Sequence, residues 1–323
     1  REFPPEVDTA ASELAARPAV NITLDGVERR DLTDLAVMTI DGTATQDFDD
    51  ALSIEDLDGC YQVGIHITDV AHFVRPSDPI DHEARQRGST IYMPDGKISM
   101  VPGCLSDDLC SLKAGQERPA ISTMVTLTPD AQVLSYEIVP SIIRVQHQRT
   151  YFDVNQMVDS DTGLKALYGL AQAFRQQRLD KGAVMISLPE INIWLNDKGR
   201  PQVNRVDRES PGRFLVAEMM ILANWIAARH LHEKGLAAVF RSQPEPRQRL
   251  FNGMQGSLFQ NWMQRRHLSR FVLNTSAEPH IGLGLNAYVT ATSPIRKYFD
   301  LVTQRQLRAS LGLEKPYTEN EMG

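Results

Sequence analysis

The sequence is poor in cysteine and contains no long apolar run. Cys60, Cys104 and Cys110 are its only cysteines, they cannot all pair, and none lies in a Cys-x-x-Cys arrangement. A disulfide framework and a structural zinc site are therefore disfavoured, and a reducing compartment, the cytoplasm, is expected. No stretch of about 18 apolar residues is present, so no membrane span is expected. The charged, proline-containing N-terminus (Arg-Glu-Phe-Pro-Pro) does not resemble a signal peptide.

An excess of basic residues is also lacking. With 34 Lys and Arg against 41 Asp and Glu, the net charge is −7 and the pI about 5.7. This balance argues mildly against a protein that coats itself with nucleic acid. The arginines are nevertheless concentrated in three segments, at 241–249, 264–270 and 293–308. Each segment is either a solvated helix face or part of a basic surface, because the distribution of charge matters more than its sum.

Two kinds of periodicity divide the chain. Period-two alternation predicts strands at 35–40, 51–55, 61–67, 121–127, 133–139 and 191–195. Helical spacing predicts helices over 5–17, 163–182 and 213–234, and Ser293-Pro294 is expected to begin a last long helix. The 323 residues contain no repeat, low-complexity stretch or linker. The sequence therefore predicts one large α+β domain, with a mixed or antiparallel sheet from the first half packed against long helices from the second.

Four aspartates lie in the segment Thr-Ile-Asp-Gly-Thr-Ala-Thr-Gln-Asp-Phe-Asp-Asp at 39–50. Asp41 ends one predicted strand and Asp50 begins the next, with Asp47 and Asp49 between them. A chain reversal here brings the carboxylates to one rim of the sheet, where each raises the pKa of the others unless a cation neutralises them. An oxygen-only ligand set suits Mg²⁺ or Mn²⁺.

An acidic, solvated turn is the alternative interpretation of this segment. The spacing does not match an EF-hand loop, which needs acidic ligands at alternate positions and a glycine sixth. Four aspartates at a strand end beside apolar residues favour the metal site. Because such metals activate water and stabilise a leaving oxygen at a phosphodiester, the expected chemistry is metal-dependent phosphoryl transfer or hydrolysis.

The aspartate segment resembles the signature of the catalytic domain in the ribonuclease II and ribonuclease R superfamily. Four further segments resemble the same domain in the same order, at 63–74, 87–95, 105–112 and 282–301. The resemblance covers about residues 28 to 311. It implies a catalytic domain at 28–312, a helical lead-in at 1–27 and a tail at 313–323, without the flanking oligonucleotide-fold domains that family enzymes usually carry.

The resemblance also implies an activity and a set of residues. The activity is processive 3′-to-5′ hydrolysis of single-stranded RNA to nucleoside 5′-monophosphates with Mg²⁺; no obligate protein partner is inferred. Asp41, Asp47, Asp49 and Asp50 match the metal-binding and catalytic acids, with Asp49 positioning the attacking water. Tyr92 matches the tyrosine near the terminal nucleotide. Arg296 matches the arginine that stabilises the scissile phosphate.

Elementary chemistry supports these assignments to different degrees. Arg296, in the first turn of a helix capped by Ser293, would bring a guanidinium and free backbone N–H groups to a phosphate; alternatively it pairs with Asp300. Tyr92, taken without the resemblance, is a half-buried core aromatic. Glu218 is the one acid in an apolar helix, so it is either a hydrogen-bond hub or a ligand of the ribose 2′-hydroxyl.

Three further features stay open. Tyr288 is a candidate to line the RNA channel. His66, Asp69 and His72 have a spacing that zinc sites share, but a strand followed by a loop would not bring them together easily. Ile186 lies where the family has a base-stacking aromatic, so base stacking is either weaker here or supplied from elsewhere.

Two other functions remain as alternatives. One is another metal-dependent phosphodiesterase, acting on DNA or a cyclic nucleotide. The other is an RNA-binding adaptor that has lost catalysis, which predicts erosion of the catalytic set; all four aspartates, Tyr92 and Arg296 are present.

Overall fold

The computed structural model of the chain describes residues 2–16, 26–196, 198–251 and 256–322. Its strands are β1 (Arg30–Asp31), β2 (Val37–Asp41), β3 (Asp50–Asp56), β4 (Tyr61–Thr68), β5 (Ile91–Met93), β6 (Gly96–Ile98), β7 (Glu117–Leu127), β8 (Val133–Thr150), β9 (Glu190–Leu195), β10 (Pro201–Val206), β11 (Phe240–Ser242) and β12 (Val272–Asn274). Its α-helices are α1 (Pro5–Ala15), α2 (Val70–Phe73), α3 (Pro79–Arg87), α4 (Tyr151–Met157), α5 (Thr162–Asp180), α6 (Pro211–Glu233), α7 (Leu258–His267), α8 (Tyr298–Ser310) and α9 (Glu319–Met322). A π-helical turn (Leu105–Leu109) and a 3₁₀ turn (Ile281–Leu283) complete the described elements.

The main sheet has the strand order β1-β8-β2-β3-β4-β7. The long strand β8 pairs antiparallel with β7 along 133–144 and then parallel with β2 along 145–150. It therefore joins both sides of the sheet, which closes on itself. The sheet is mixed and comes from the first half of the chain, whereas the long helices come from the second half. The predicted α+β class is confirmed.

Helices α5 and α6 cover the sheet and form the larger core. Leu52, Ile65 and Val125 from the strands share one apolar cluster with Leu222 and Ile226 of α6. By length and composition alone α6 could cross a membrane, but most of its apolar window is buried in the protein. That burial is the ordinary state of a core helix, and the predicted helix at 213–234 corresponds to it within two residues at each end.

Helix α1 packs on a second core rather than trailing from the domain. Its Val7 and Ala11 lie in one apolar cluster with Ile80 and Ala84 of α3 and with Leu301 of α8. The helix ends at Ala15. Residues 17–25 of the predicted lead-in lie outside the described residues.

His66 is a buried part of the sheet. Its Nε2 lies 3.0 Å from Ser53 Oγ and its Nδ1 lies 2.7 Å from Ser122 Oγ, so both ring nitrogens are hydrogen-bonded. Gly64 makes room for the ring, because a Cβ at Gly64 would lie 2.5 Å from His66 Nε2. Asp69, from the same zinc-like spacing, instead pairs with Arg29 at 2.7 Å and also with Arg308.

We predict that His66 makes the fold sensitive to acid. Burial lowers the pKa of His66 to about 4. The unfolded chain binds a proton near pH 6.5, so between about pH 6.5 and 4 only the unfolded state gains the proton, and stability falls as pH falls. From pH 7 to pH 4 this one group should remove about 3 kcal/mol of unfolding free energy.

The measurement is urea unfolding between pH 4 and pH 7, with His66→Gln as the matched variant. Glutamine can still donate to and accept from the two serines but does not titrate. The stability difference between wild type and variant should shrink toward low pH. A difference that stays constant across this range would contradict the prediction.

Candidate active site

The four aspartates do meet at one rim of the sheet, as predicted. Strands β2 and β3 run antiparallel with Met38 opposite Leu52, so Asp41 and Asp50 lie at the same end of the pair. The charges of Asp50, Asp49 and Asp47 all act on Asp41. The intervening loop is held in place by Ser111, whose Oγ donates to the Gln46 carbonyl at 2.6 Å and accepts from the Phe48 N–H at 3.1 Å.

Asp49 connects this rim to a distant part of the chain. Its Oδ1 accepts the backbone N–H of Ile295 at 2.8 Å, and its Oδ2 accepts Nε–H of Arg296 at 2.9 Å. The side chain is almost fully buried. Burial raises the pKa of Asp49 to about 7, against the opposing influence of Arg296. The guanidinium therefore favours the ionised form of this buried carboxyl and offsets part of the effect of burial.

Among the residues that the structure describes, Asp41 and Asp50 have no such cationic partner in direct contact. Burial raises the pKa of both, and the charges of Asp50 and Asp49 raise that of Asp41 further. Asp41 Oδ2 is buried and has no hydrogen-bond partner among the described residues. An orphaned carboxylate oxygen within an oxygen-only cluster fits a hard divalent cation. In the described parts of the chain no three acidic, histidine or cysteine side chains are arranged as a ready-made metal cage, so the carboxylates would have to move closer together to hold an ion.

Tyr92 projects from β5 over the same cluster. Its hydroxyl donates to Asp47 Oδ2 at 2.6 Å, and its side chain is 55% exposed. The interpretation of Tyr92 as a core aromatic is therefore wrong. One oxygen of Asp47 is held while the ring stays accessible to a ligand.

Lys97 belongs to the site, although no sequence pattern had singled it out. It lies opposite Tyr92 in the β5–β6 hairpin. Its Nζ is 3.8 Å from Asp47 Oδ2 and 2.6 Å from Asp107 Oδ1. The turn at 93–96, with proline at its second position and glycine at its fourth, was the signal that could have placed it there.

Arg296 reaches the cluster, but the expected helix start is wrong. Helix α8 begins at Tyr298 with Lys297 as its N-cap, so Arg296 lies in a turn before the helix. The backbone N–H groups of this turn already have acceptors: Ser293 donates to Asp300 Oδ2 at 2.9 Å, and Ile295 donates to Asp49. Because Asp300 is used in this way, it is not the ion-pair partner of Arg296. Of the groups that the sequence predicted to contact a phosphate here, only the guanidinium remains available.

Glu218 and Tyr288 lie in the protein interior. Glu218 Oε1 accepts from Arg175 at 2.8 Å, and both oxygens of Glu218 accept from Arg178 Nη2 at 2.6 and 2.7 Å. Of the two interpretations of Glu218, a hydrogen-bond hub or a ribose ligand, these contacts match the hydrogen-bond hub. Tyr288 is 8% exposed, and its hydroxyl accepts from Asn224 at 3.1 Å. In this arrangement both are core residues, and their predicted contact with RNA stays a prediction.

The fold and the aspartate rim agree with one protein family. The RNB domain model matches residues 29–312, and the chain belongs to the RNB domain family. Among curated relatives, an uncharacterized ribonuclease of Synechocystis sp. is 36% identical over 96% of this chain and 47% of its own length. Ribonuclease R of Chlamydia pneumoniae is 31% identical over 98% of this chain and 52% of its own length. The chain thus spans about half the length of the curated relatives it matches.

Solved structures show the same fold. The ribonuclease R of Mycoplasma genitalium, in complex with ribose-methylated single-stranded RNA, superposes with a TM-score of 0.85 at 25% identity and covers 99% of this chain and 56% of that one. Yeast Ssd1, described as a pseudonuclease, has a TM-score of 0.73 at 19% identity over 90% of this chain and 41% of its own. The latter likeness concerns the fold alone.

We predict that Glu218 is structural. Glu218→Gln leaves the buried Arg178 without a carboxylate and Arg175 with Glu209 alone, so the unfolding free energy should fall by about 3–5 kcal/mol. Denaturant unfolding measures this loss. A variant of unchanged stability that no longer distinguished RNA from DNA would instead make Glu218 a ribose ligand.

We also predict that divalent cations stabilise the rim. Millimolar Mg²⁺ or Mn²⁺ should raise the melting temperature by several degrees relative to EDTA, since about 2.7 kcal/mol is gained at a hundredfold excess over Kd. Asp41→Asn should at least halve this shift. Asp58→Asn, in the exposed turn at the other end of β3, is the matched control and should retain it. Equal shifts in both variants would place the cation elsewhere.

Proposed function

We propose that the chain is a Mg²⁺-dependent exoribonuclease that hydrolyses single-stranded RNA from its 3′ end and releases nucleoside 5′-monophosphates in the cytoplasm. The single observation that carries the proposal is the meeting of Asp41, Asp47, Asp49 and Asp50 with Arg296 and Tyr92 at one rim. The relatives named ribonuclease R support the activity, and the complex of the Mycoplasma enzyme with single-stranded RNA supports the substrate.

The carboxylates divide into two groups in this proposal. Asp41 and Asp50 carry no direct cationic partner and would hold Mg²⁺ together with oxygens of Asp47 and Asp49. When bound, Mg²⁺ supplies activation of water and neutralisation of phosphate charge. Asp49, held by Ile295 and Arg296, keeps a fixed direction and orients the attacking water by accepting a hydrogen bond from it.

Arg296 and Tyr92 act on the substrate. The Arg296 guanidinium uses Nε for Asp49 and is partly exposed, so its remaining N–H groups can donate to the scissile phosphate. These donors stabilise the charge that develops on the phosphate oxygens. The exposed face of Tyr92 contacts the terminal nucleotide, while its hydroxyl keeps one oxygen of Asp47 in place.

We predict that Asp49→Asn separates binding from chemistry. The amide keeps the size of the side chain but loses the charge that orients water, so the cleavage rate should fall roughly 100- to 1,000-fold or more. Binding of single-stranded RNA in EDTA should change little. The measurement is stepwise shortening of 5′-labelled RNA with Mg²⁺, with Asp58→Asn as the control that keeps full activity. Near-normal cleavage by Asp49→Asn would remove Asp49 from the mechanism.

The same assay separates the alternatives. Stepwise, EDTA-sensitive shortening of RNA but not of a matched DNA oligomer supports the proposal. Cleavage of DNA or of a cyclic nucleotide identifies a different phosphodiesterase. Intact RNA that is nevertheless bound identifies an adaptor, a role compatible with a fold that the pseudonuclease Ssd1 shares.

A further inference from the structure

Helix α7 has the reverse of the usual polarity for a surface helix. Its buried side chains are the amides Asn261 and Gln264, whereas Leu258, Phe259 and Trp262 are exposed. Phe259 is 69% exposed and Trp262 is 47% exposed. Exposed aromatic side chains of this size are uncommon on a surface without a ligand or partner.

The inward amides explain how α7 stays attached without an apolar face. Asn261 Oδ1 accepts the Ser187 N–H at 2.8 Å, which ties the helix to the segment that carries Ile186. Gln264 accepts the Leu250 N–H at 2.7 Å and donates to the Gln248 carbonyl at 2.8 Å. Ser257 closes the N-terminus in a capping box with Gln260. The outward side chains are therefore not required to hold the helix in place.

The outward side chains form one surface, called here the α7 aromatic face: Leu258, Phe259, Trp262, Arg265 and Arg266. The rings of Phe259 and Trp262 are stacked at 6.3 Å with an interplanar angle of 29°. The Arg266 guanidinium lies 5.2 Å from the centre of the Trp262 ring. Arg265 is exposed beside them. Flat rings and guanidinium groups on one exposed face are the combination that stacks bases and neutralises phosphates.

Charge complementarity favours a polyanion as the occupant. From Arg241 to Arg270 the sequence contains six arginines and one acidic residue, Glu245, in a chain whose net charge is −7. Glu245 is itself paired with Arg249 at 3.1 Å. An unpaired nucleic acid strand is matched along its whole length by both the rings and the charges, because every nucleotide carries a flat base and a phosphate.

We propose that the α7 aromatic face is a second binding site for single-stranded RNA, which stacks bases on Phe259 and Trp262 and contacts phosphates through Arg265 and Arg266. This proposal rests on the proposed RNA substrate, but it concerns binding outside the aspartate rim. It supplies from another element the stacking that Ile186 cannot provide. Only RNA long enough to extend beyond the catalytic site gains from it.

The test measures affinity against RNA length in EDTA, with fluorescein-labelled oligouridine of about 5 and about 20 nucleotides. Phe259→Ala/Trp262→Ala should bind the long RNA about tenfold more weakly and the short RNA as wild type. Arg265→Gln/Arg266→Gln should lower the slope of log affinity against log salt by about 1.4 for the long RNA. Both variants should cleave the short RNA with Mg²⁺ at the wild-type rate, because the aspartate rim is untouched.

The matched control is Leu57→Ala/Leu134→Ala, which removes two exposed apolar side chains at the opposite end of the sheet from the carboxylates. It should bind both RNAs as wild type. Unchanged long-RNA affinity in Phe259→Ala/Trp262→Ala overturns the proposal. So does a wild type that dimerises in sedimentation through this face while RNA affinity is unaffected by the double substitution.

The exoribonuclease activity and the second RNA site can be refuted independently of each other. A wild type that binds long RNA through the face but releases no mononucleotides refutes the exoribonuclease activity and keeps the second site. A wild type that cleaves RNA while the face variants bind normally keeps the activity and refutes the second site.

Discussion

The pairing of buried Asp49 with the Ile295–Arg296 turn is the interaction on which the site depends. It joins the loop between β2 and β3 to residues almost 250 positions away. An ionised carboxylate buried without a partner costs several kcal/mol, so the loop and the turn can be buried together only when both hydrogen bonds form. The same contacts that offset the cost of this burial also fix the direction of the Asp49 carboxylate and of the guanidinium beside it. Stability and function therefore impose one geometry on these residues.

Helix α8 holds the turn from the other side through buried polar side chains. Gln304 donates to the Thr68 carbonyl at 2.7 Å and accepts the Ala71 N–H at 3.1 Å, while Arg305 pairs with Asp81 at 2.8 Å. Such contacts add little net stability compared with apolar packing, because desolvation offsets most of their energy. Because hydrogen bonds are directional, these contacts form at only one position of the helix along its axis and at one rotation about that axis. Arg296 precedes α8 by two residues, so that position determines where its guanidinium lies.

The sequence predicted the aspartate rim but not everything that surrounds it. The period-two alternation on either side of the acidic segment is a local pattern. It was sufficient to predict that Asp41 and Asp50 lie close together. The start of α8 was placed four residues early, because Asp300 and Asp49 take the backbone N–H groups of Ser293 and Ile295, and sequence spacing does not reveal that competition. Glu218 was left between two roles for the same reason: its partners Arg175 and Arg178 come from α5, and only the packing of α5 on α6 makes them neighbours.

The proposed binding of RNA at this rim involves a physical conflict, and the polarity of α7 offers a way around it. Four carboxylates repel a polyanion at longer range, and Arg296 and Lys97 are already engaged by Asp49 and Asp107. A cation neutralises the cluster only locally, within a Debye length of roughly 8 Å. Under the proposal, attraction of the remaining strand has to come from another surface, and the arginines of 241–270 are one concentration of positive charge that lies outside the rim. A helix anchored by amides can expose its rings beside arginines without weakening the core, which makes the reversal of apolar burial at α7 compatible with its retention at α6.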